Sequence, residues 1–309
     1  MDINSKISVV IPLFNKERTI RRAVESVLSQ SVAPAEIIVV DDGSTDGSAA
    51  AVESIGSPSV RLLRQANAGV SAARNRAAAE ATGEFIALLD GDDAWKENYL
   101  EEICRLIEEY PDCGIYATGF DIIDGTRSVP GNTPDTEGII DFFTASLTEY
   151  VVIPSAATLR RSTFLDAGGF PAGMRMGEDQ YLWTKMARTA PVCFSPKRLV
   201  CYSRSADNRS AAIFRAEDTP YSFEDLYDAS ADDASNEYIA RAALGKALVQ
   251  SAKGGTAEAA RAIGFFGYTS RNRRALCKLK FINSLPVAWR QPVLRFYNAM
   301  AWLTARKGM

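Results

Sequence analysis

Through its first ninety residues the chain alternates short aliphatic or β-branched runs with stretches whose apolar residues recur every three or four positions. Ile7–Leu13, Glu36–Val40, Val60–Leu63 and Glu84–Leu89 are of the first kind, the pattern of strands buried on both faces. Lys16–Ser29 is of the second kind, with Ile20, Val24, Val27 and Leu28 on one helical face. So are Thr45–Ile55, closed by Gly56 and Pro58, and the Ala-rich Val70–Ala81, with Ser71 near its N-cap and Gly83 just past its end. Strand and helix in regular alternation, with short connections, predict a parallel sheet with right-handed crossovers. Tyr99–Tyr110 extends the pattern as an amphipathic helix and Gly114–Phe120 as a further strand.

After Asp121 the pattern loosens. Gly125–Gly138, rich in Gly, Pro, Thr and Asp, reads as a loop. Order resumes over Thr158–Phe164 and again over Asp179–Thr189, a helix whose start carries Glu178 and Asp179. Beyond about Arg215 the sequence is helical and Ala-rich without further strand signal. The expected organisation is an α/β catalytic domain over 1–214 and a helical appendage over 215–309.

A chain of 309 residues, 47% hydrophobic and 24% charged, has the make-up of an ordinary soluble globular protein. No apolar stretch is long enough to span a bilayer and the N-terminus has no signal-peptide pattern, so a cytoplasmic location is expected. Cys104, Cys113, Cys193, Cys201 and Cys277 are scattered without metal-ligand spacing and read as reduced thiols. The chain contains no histidine. Ser-His and Cys-His catalysis and histidine-ligated metals are thereby excluded, and acid–base work falls to carboxylates, Lys, Tyr or Cys.

The net charge of −3 conceals an asymmetry. Arg271–Met309 holds nine Lys or Arg and no acid, so the rest of the chain carries −12 once those nine charges are taken away. Within this tail Trp289, Val293, Phe296, Met300 and Leu303 recur at helical spacing, with Arg290, Arg295, Arg306 and Lys307 off the stripe. Pro286 and Pro292 start or interrupt helices there. A basic amphipathic helix with aromatics can lie on an anionic membrane surface, and it can equally pack on the catalytic domain. Both readings stand at this level, and nothing in the chain calls for a nucleic-acid partner.

Two acidic clusters end apolar runs: Asp41-Asp42-Gly43-Ser44 after Ile37–Val40, and Asp90-Gly91-Asp92-Asp93 after Phe85–Leu89. In an open α/β sheet ligands bind beyond the carboxyl ends of such strands. Crowded carboxylates there call for a cation or a donor-rich ligand. At the first cluster a carboxylate can accept from a nucleobase N–H, or it can simply form the turn and cap the next helix. In the second, Asp90 and Asp92 leave the same side of an extended segment, so the pair could grip Mg²⁺ or Mn²⁺ whose remaining positions take diphosphate oxygens. Arg74, in the first turns of a helix after Asn67-Ala68-Gly69, can neutralise phosphate or tie down an acidic loop, with Asp42 or Asp92 as the expected salt-bridge partner.

Four segments together resemble the family 2 glycosyltransferases of GT-A fold: Ser8-Val9-Val10-Ile11-Pro12-Leu13-Phe14-Asn15, Val39-Val40-Asp41-Asp42-Gly43-Ser44-Thr45-Asp46, Asn67-Ala68-Gly69 with Ala73-Arg74-Asn75, and Gly83–Asp93. Arg160–Phe164, Gly168-Gly169-Phe170 and Gly177-Glu178-Asp179-Gln180-Tyr181-Leu182-Trp183 resemble the acceptor half of that family, and the likeness covers roughly residues 6–200. It implies a Rossmann-like, mostly parallel sheet flanked by helices and an inverting transfer of a hexosyl or N-acetylhexosaminyl group from a nucleotide sugar, UDP-linked by expectation. Pro12, Phe14 and Asn15 would lie at the nucleotide, Asp42 would accept from the uracil N3–H, and Arg74 would help hold the nucleotide. Asp90 would approach ribose and sugar, Asp92, with Asp90, would carry Mn²⁺ or Mg²⁺, Asp179 would be the general base and Glu178 its neighbour.

The resemblance also has departures. Gln180-Tyr181-Leu182-Trp183 lacks the Arg of the Gln-x-x-Arg-Trp motif of processive synthases, so single-sugar transfer is expected. The His that many relatives carry after the last strand is replaced by Tyr202–Arg209, where Arg204 or Arg209 would neutralise the leaving group or else form a solvated loop. The acceptor implied is a glycan or lipid-linked hydroxyl in surface polysaccharide assembly, lipid-linked above all if the tail sits on the inner face of the membrane. A haloacid-dehalogenase-type phosphotransferase would want a Thr or Val soon after Asp92 and a catalytic Lys, where Asp93-Ala94-Trp95 follows. A non-catalytic nucleotide-sugar-binding module would lack the base.

Overall fold

The computed structural model describes residues 3–204 and 219–306, which fall into two compact units. The second unit takes in everything from Tyr221 onward, and the boundary expected at 214/215 lies outside the described residues.

The first unit opens with β1 (Ile7–Leu13), α1 (Ile20–Leu28), β2 (Glu36–Asp41), α2 (Ser48–Glu53), β3 (Val60–Arg64), α3 (Val70–Glu80) and β4 (Phe85–Leu88). Their order in the sheet is β3-β2-β1-β4, all parallel, with Leu13 beside Asp41 and Val10 beside Leu88. The carboxyl ends of β1, β2 and β4 therefore share one edge, where both acidic clusters emerge. The physical basis is burial: Val9, Val10, Ile11, Ile38, Val39 and Val40 are fully buried, each contributing about 1.5–3 kcal/mol relative to exposure. On α1 the buried face is Ile20, Ala23, Val24 and Val27, while Leu28, expected on that face, is 40% exposed.

The remaining elements of this unit are β5 (Ala94–Trp95), α4 (Tyr99–Glu109), β6 (Ile115–Asp124), β7 (Arg127–Pro130), β8 (Gly138–Ile140), α5 (Phe142–Ser146), β9 (Ala157–Arg160), α6 (Arg161–Asp166), α7 (Glu178–Ala187) and β10 (Val192–Ser203). The sheet continues β4-β9-β6-β10-β5, with β9 antiparallel to both neighbours and β10 parallel to β6. Parallel pairing thus holds for the first four strands and for β6–β10, and the sheet as a whole is mixed. Two strands replace part of the expected loop. β7 folds back on β6 through a two-residue turn after Asp124, and β8 pairs with β10. The pattern of β10 was hidden by Pro196-Lys197-Arg198, where the register with β6 shifts.

The second unit comprises α8 (Asp233–Ala252), α9 (Thr256–Phe265), α10 (Arg273–Ser284) and α11 (Val287–Arg306), with α8 contacting each of the other three. The Asp232 side chain caps α8 by accepting the Ser235 N–H at 2.6 Å. α11 runs through Pro292 rather than breaking there. Arg290, expected on the polar side of the tail, is buried. Its guanidinium donates to the carbonyls of Leu285 and Asn283 and to side-chain oxygens of Thr256 and Asn283. Trp289 and Phe296 of the apolar stripe face outward, 65% and 69% exposed. No helix among the described residues is long and apolar enough to cross a membrane.

Candidate active site

The end of β1 and the loop after β2 are stitched together. Asn15, with φ of 50°, occupies the left-handed region that Asn tolerates, accepts the Thr45 N–H at 2.8 Å and donates its own N–H to Ser44 Oγ. Lys16 N–H donates to Ser48 Oγ and Gly47 N–H to Glu17. Pro12 is half-buried and Phe14 exposed beside this seam, so the strand end presents an open aromatic ring.

Asp42 does not stand open at its strand end. It is 3% exposed, and its oxygens accept from Gln65 Nε2 at 2.7 Å and from the N–H groups of Ala68 and Gly69 at 2.8 Å each. A carboxylate has about four lone-pair sites, so one remains for a ligand. Neighbouring Asp41 accepts the Ser44 N–H and closes the turn.

The second acidic cluster is a turn rather than an extended segment, closed by the Asp93 N–H on the Asp90 carbonyl at 3.0 Å. Asp90 and Asp92 consequently reach different partners. Asp90 Oδ1 accepts from Arg74 Nη2 at 2.6 Å, and Asp92 Oδ2 lies 2.8 Å from Lys16 Nζ. The turn's main chain is held from the start of α1: Thr19, at its N-cap, donates to the Gly91 carbonyl and Arg22 donates to that of Asp92. Gly91 permits this approach, since a Cβ there would meet the Pro12 carbonyl and Ile20 at 3.3 and 3.4 Å. Asp93 points inward, 1% exposed, accepting from Ser155 Oγ at 2.5 Å and from the Ser203 N–H at 2.7 Å. Burial, then the charges of Asp90 and Asp92, push its carboxyl well above the usual range. Ser155 also accepts the Asp90 N–H, and its carbonyl accepts from Trp95 Nε1.

Arg74, expected at the nucleotide with Asp42 or Asp92 as partner, is instead 3% exposed and pairs with Asp90. Its Nη1 lies 3.5 Å from Glu178 Oε1, and its guanidinium sits 5.0 Å from the centre of the Phe170 ring. Asn75, the next residue of α3, grips the main chain of Phe170 at both its N–H and its carbonyl, each at 2.8 Å. Arg74 thereby joins the second acidic strand end to the start of α7, bridging 104 positions of sequence.

Gly177, with φ of 78°, turns the chain into α7 and brings Glu178 and Asp179 out at its first turn. Asp179 is partly exposed and accepts the Gln180 N–H at 2.8 Å. Both carboxyls are raised above the ordinary range: burial dominates, with mutual repulsion added at Glu178 and the charge of Asp90 at Asp179, and Arg74 opposing. Glu178, pushed up to about 7, is thus poised to hold a proton near neutrality.

Arg204 follows β10, exposed, one residue beyond the Ser203 N–H that Asp93 holds. Arg209 lies outside the described residues. Sequence reasoning missed Lys16, Asn75, Ser155 and Phe170. Asn75 and Phe170 sit inside the quoted motifs, whereas Lys16 and Ser155 carry no local signal.

A divalent ion fits this edge in one way. Among the described residues no three acidic or thiol side chains come together as a metal cage. Mg²⁺ and Mn²⁺ need only one or two carboxylates when diphosphate oxygens fill the other positions, and Asp92 supplies a partly exposed hard oxygen donor. Asp90 contributes less than expected, one of its oxygens being committed to Arg74.

Residues 8–168 match the sequence model of glycosyl transferase family 2. An uncharacterized glycosyltransferase of Nostoc sp. (alr2836) is 40% identical over 123 residues, covering 39% of this chain and 38% of the relative. The Escherichia coli enzyme WfgD, a UDP-Glc:α-D-GlcNAc-diphosphoundecaprenol β-1,3-glucosyltransferase, is 41% identical over 96 residues, 31% of this chain and 38% of the relative. The matched segments therefore span under half the length of these relatives. Residues 1–349 of TarS from S. aureus, in complex with UDP-GlcNAc, superpose with a TM-score of 0.62 at 20% identity, covering 91% of this chain and 82% of that one. That likeness identifies the fold as GT-A.

Proposed function

The chain belongs to glycosyl transferase family 2, and from that premise we propose that it is an inverting glycosyltransferase moving one sugar from a nucleotide sugar to an acceptor hydroxyl. The observation that carries this reading is the joining of Asp90 to Glu178 through Arg74, with Asp179 beside them, so that a donor-side strand end and a candidate base belong to one site. The donor proposed is UDP-linked, in keeping with the UDP-GlcNAc in the TarS structure and the UDP-Glc of WfgD's name.

In the proposed reaction Phe14 and Pro12 flank the nucleobase, Asn15 shapes the strand end beneath it, and the remaining lone-pair site of Asp42 accepts a base N–H. Asp90 receives hydroxyls of the ribose or the sugar. Asp179 takes the proton of the acceptor hydroxyl as it attacks the anomeric carbon from the face opposite the leaving diphosphate. A raised proton affinity suits that task, and burial with the charge of Asp90 supplies the raising. Asp92 is the residue that would hold Mn²⁺ or Mg²⁺, whose positive charge favours the developing diphosphate anion. Arg204, and Arg209 beyond the described stretch, are candidates for the same charge on the other side.

The acceptor proposed is a glycan or lipid-linked hydroxyl in cell-envelope polysaccharide assembly, as WfgD's name describes for that relative. Exposed Phe281, Trp289, Phe296 and Tyr297, in a tail with nine Lys or Arg and no acid, support a peripheral position on the inner face of the membrane.

A panel of UDP-, GDP- and dTDP-sugars with Mn²⁺ and a lipid-linked acceptor, read by nucleotide release, tests the activity. Asp179→Asn should lower kcat about 100-fold or more while UDP binding survives. Absence of release with every donor, or loss of UDP binding in Asp179→Asn, would count against it.

A further inference from the structure

Arg74 is buried among α3, the acidic turn and the start of α7, and three carboxylates share its charge: Asp90, Glu178 and Asp179. Its hydrogen-bonding capacity is unevenly used. Nη2 donates to Asp90 at 2.6 Å, whereas Nη1 stands 3.5 Å from Glu178, and neither Nη1 nor Nε has a hydrogen-bond acceptor among the described residues. The Phe170 ring, itself clamped by Asn75, lies against the guanidinium and closes that side to water. A buried N–H without an acceptor is unfavourable by more than a typical hydrogen bond is favourable. The guanidinium therefore gains by closing on Glu178 whenever Asp90 turns to another partner, and by staying on Asp90 otherwise.

We propose that Arg74 is a positioning residue that couples the donor side of the site to the base side, Asp90 and Glu178 competing for one guanidinium. This rests on the reading above, in which Asp90 faces the nucleotide sugar and Glu178 is the neighbour of the Asp179 base. Filling the donor site engages Asp90, shifts Arg74 towards Glu178 and so sets the base motif for the acceptor. Coupling between two sites is reciprocal, so a change at Glu178 must be felt by the donor even though Glu178 does not touch it. Neutralising Glu178 leaves Asp90 as the principal partner of Arg74, holds Asp90 away from the donor and weakens donor binding. Asp179 acts on Arg74 only through its charge, the weakest of the three, so neutralising it has much the smaller effect.

The test is nucleotide binding by the full chain, measured by calorimetry with Mn²⁺ and UDP, GDP or ADP, using whichever the wild type binds best. Glu178→Gln is expected to weaken that nucleotide about fivefold or more, and Asp179→Asn less than twofold. In an Arg74→Lys background, where one ammonium cannot span both carboxylates, Glu178→Gln is expected to have no further effect. If Arg74→Lys fails to fold, Asp90→Asn serves as the background with the same expectation. Equal affinity of Glu178→Gln and wild type, or an undiminished effect in the second background, overturns the coupling alone. Wild-type binding of none of the three nucleotides overturns the function proposed above and the coupling with it.

Discussion

The Lys16 ammonium lies 2.8 Å from Oδ2 of Asp92, the carboxylate proposed above to receive a divalent ion. Both side chains are mostly buried, 15% and 18% exposed, so the pair is screened less than a surface ion pair. On that proposal a divalent ion and Lys16 compete for the same oxygen. Lys16→Met should therefore tighten Mn²⁺ binding in the presence of UDP by about fivefold, the scale of about 1 kcal/mol for one such pair. Free Mn²⁺ followed by electron paramagnetic resonance reads this directly. Unchanged or weaker binding would show that the ammonium does not occupy the ion's position.

The start of α7 sets a pH dependence. Glu178 is pushed up to about 7 by burial and by the charge of Asp179, and Asp179 is raised as well. A base works only when deprotonated, so activity should rise with pH through the raised range of the pair and not near 4, where an ordinary carboxylate titrates. Glu178→Gln removes one negative charge beside Asp179, which lowers the proton affinity of the remaining carboxyl. Its acid limb in kcat should move to lower pH, even as overall turnover falls. An acid limb that stays in place would remove Glu178 from the tuning of the base.

Ser155 is the pin of the acidic turn. Its hydroxyl donates to buried Asp93 and accepts the Asp90 N–H, so Ser155→Ala strips partners from both. Leaving such buried groups unsatisfied costs about 1–3 kcal/mol. Urea unfolding should show that loss, with UDP affinity falling alongside because Asp90 and Asp92 ride on the same turn. Stability equal to wild type would mean the turn is held by α1 alone, through Thr19 and Arg22.

The outward aromatics of α11 offer a separate check. Trp289→Ser with Phe296→Ser should reduce co-sedimentation with phosphatidylglycerol vesicles several-fold, and binding to phosphatidylcholine vesicles should be weak for both proteins. Equal sedimentation of the double variant and wild type would remove this face from any membrane contact.

The strands that carry the donor edge could be read from the chain because their burial on both faces demands unbroken apolar runs, a purely local signature. The same holds for α1 and α4, whose buried residues repeat at helical spacing. The acidic clusters and the Glu178-Asp179 pair were visible for the same reason, each sitting at the end of a local element. What local pattern cannot carry is the partner of a side chain. Arg74 had two expected partners, Asp42 and Asp92, and its actual pairing with Asp90 and Glu178 depends on α3, the acidic turn and α7 meeting across the fold.

The four parallel strands, the positions of the carboxylates and the absence of histidine chemistry follow from residue type and local periodicity, and could be read off the chain. It took the folded chain to show that β9 runs antiparallel between β4 and β6, that Asp93 is an internal anchor, and that Asp42 commits most of its lone pairs to its own chain. Those outcomes rest on long-range pairing and on the need to satisfy every buried polar group, and both are settled between segments far apart in the chain.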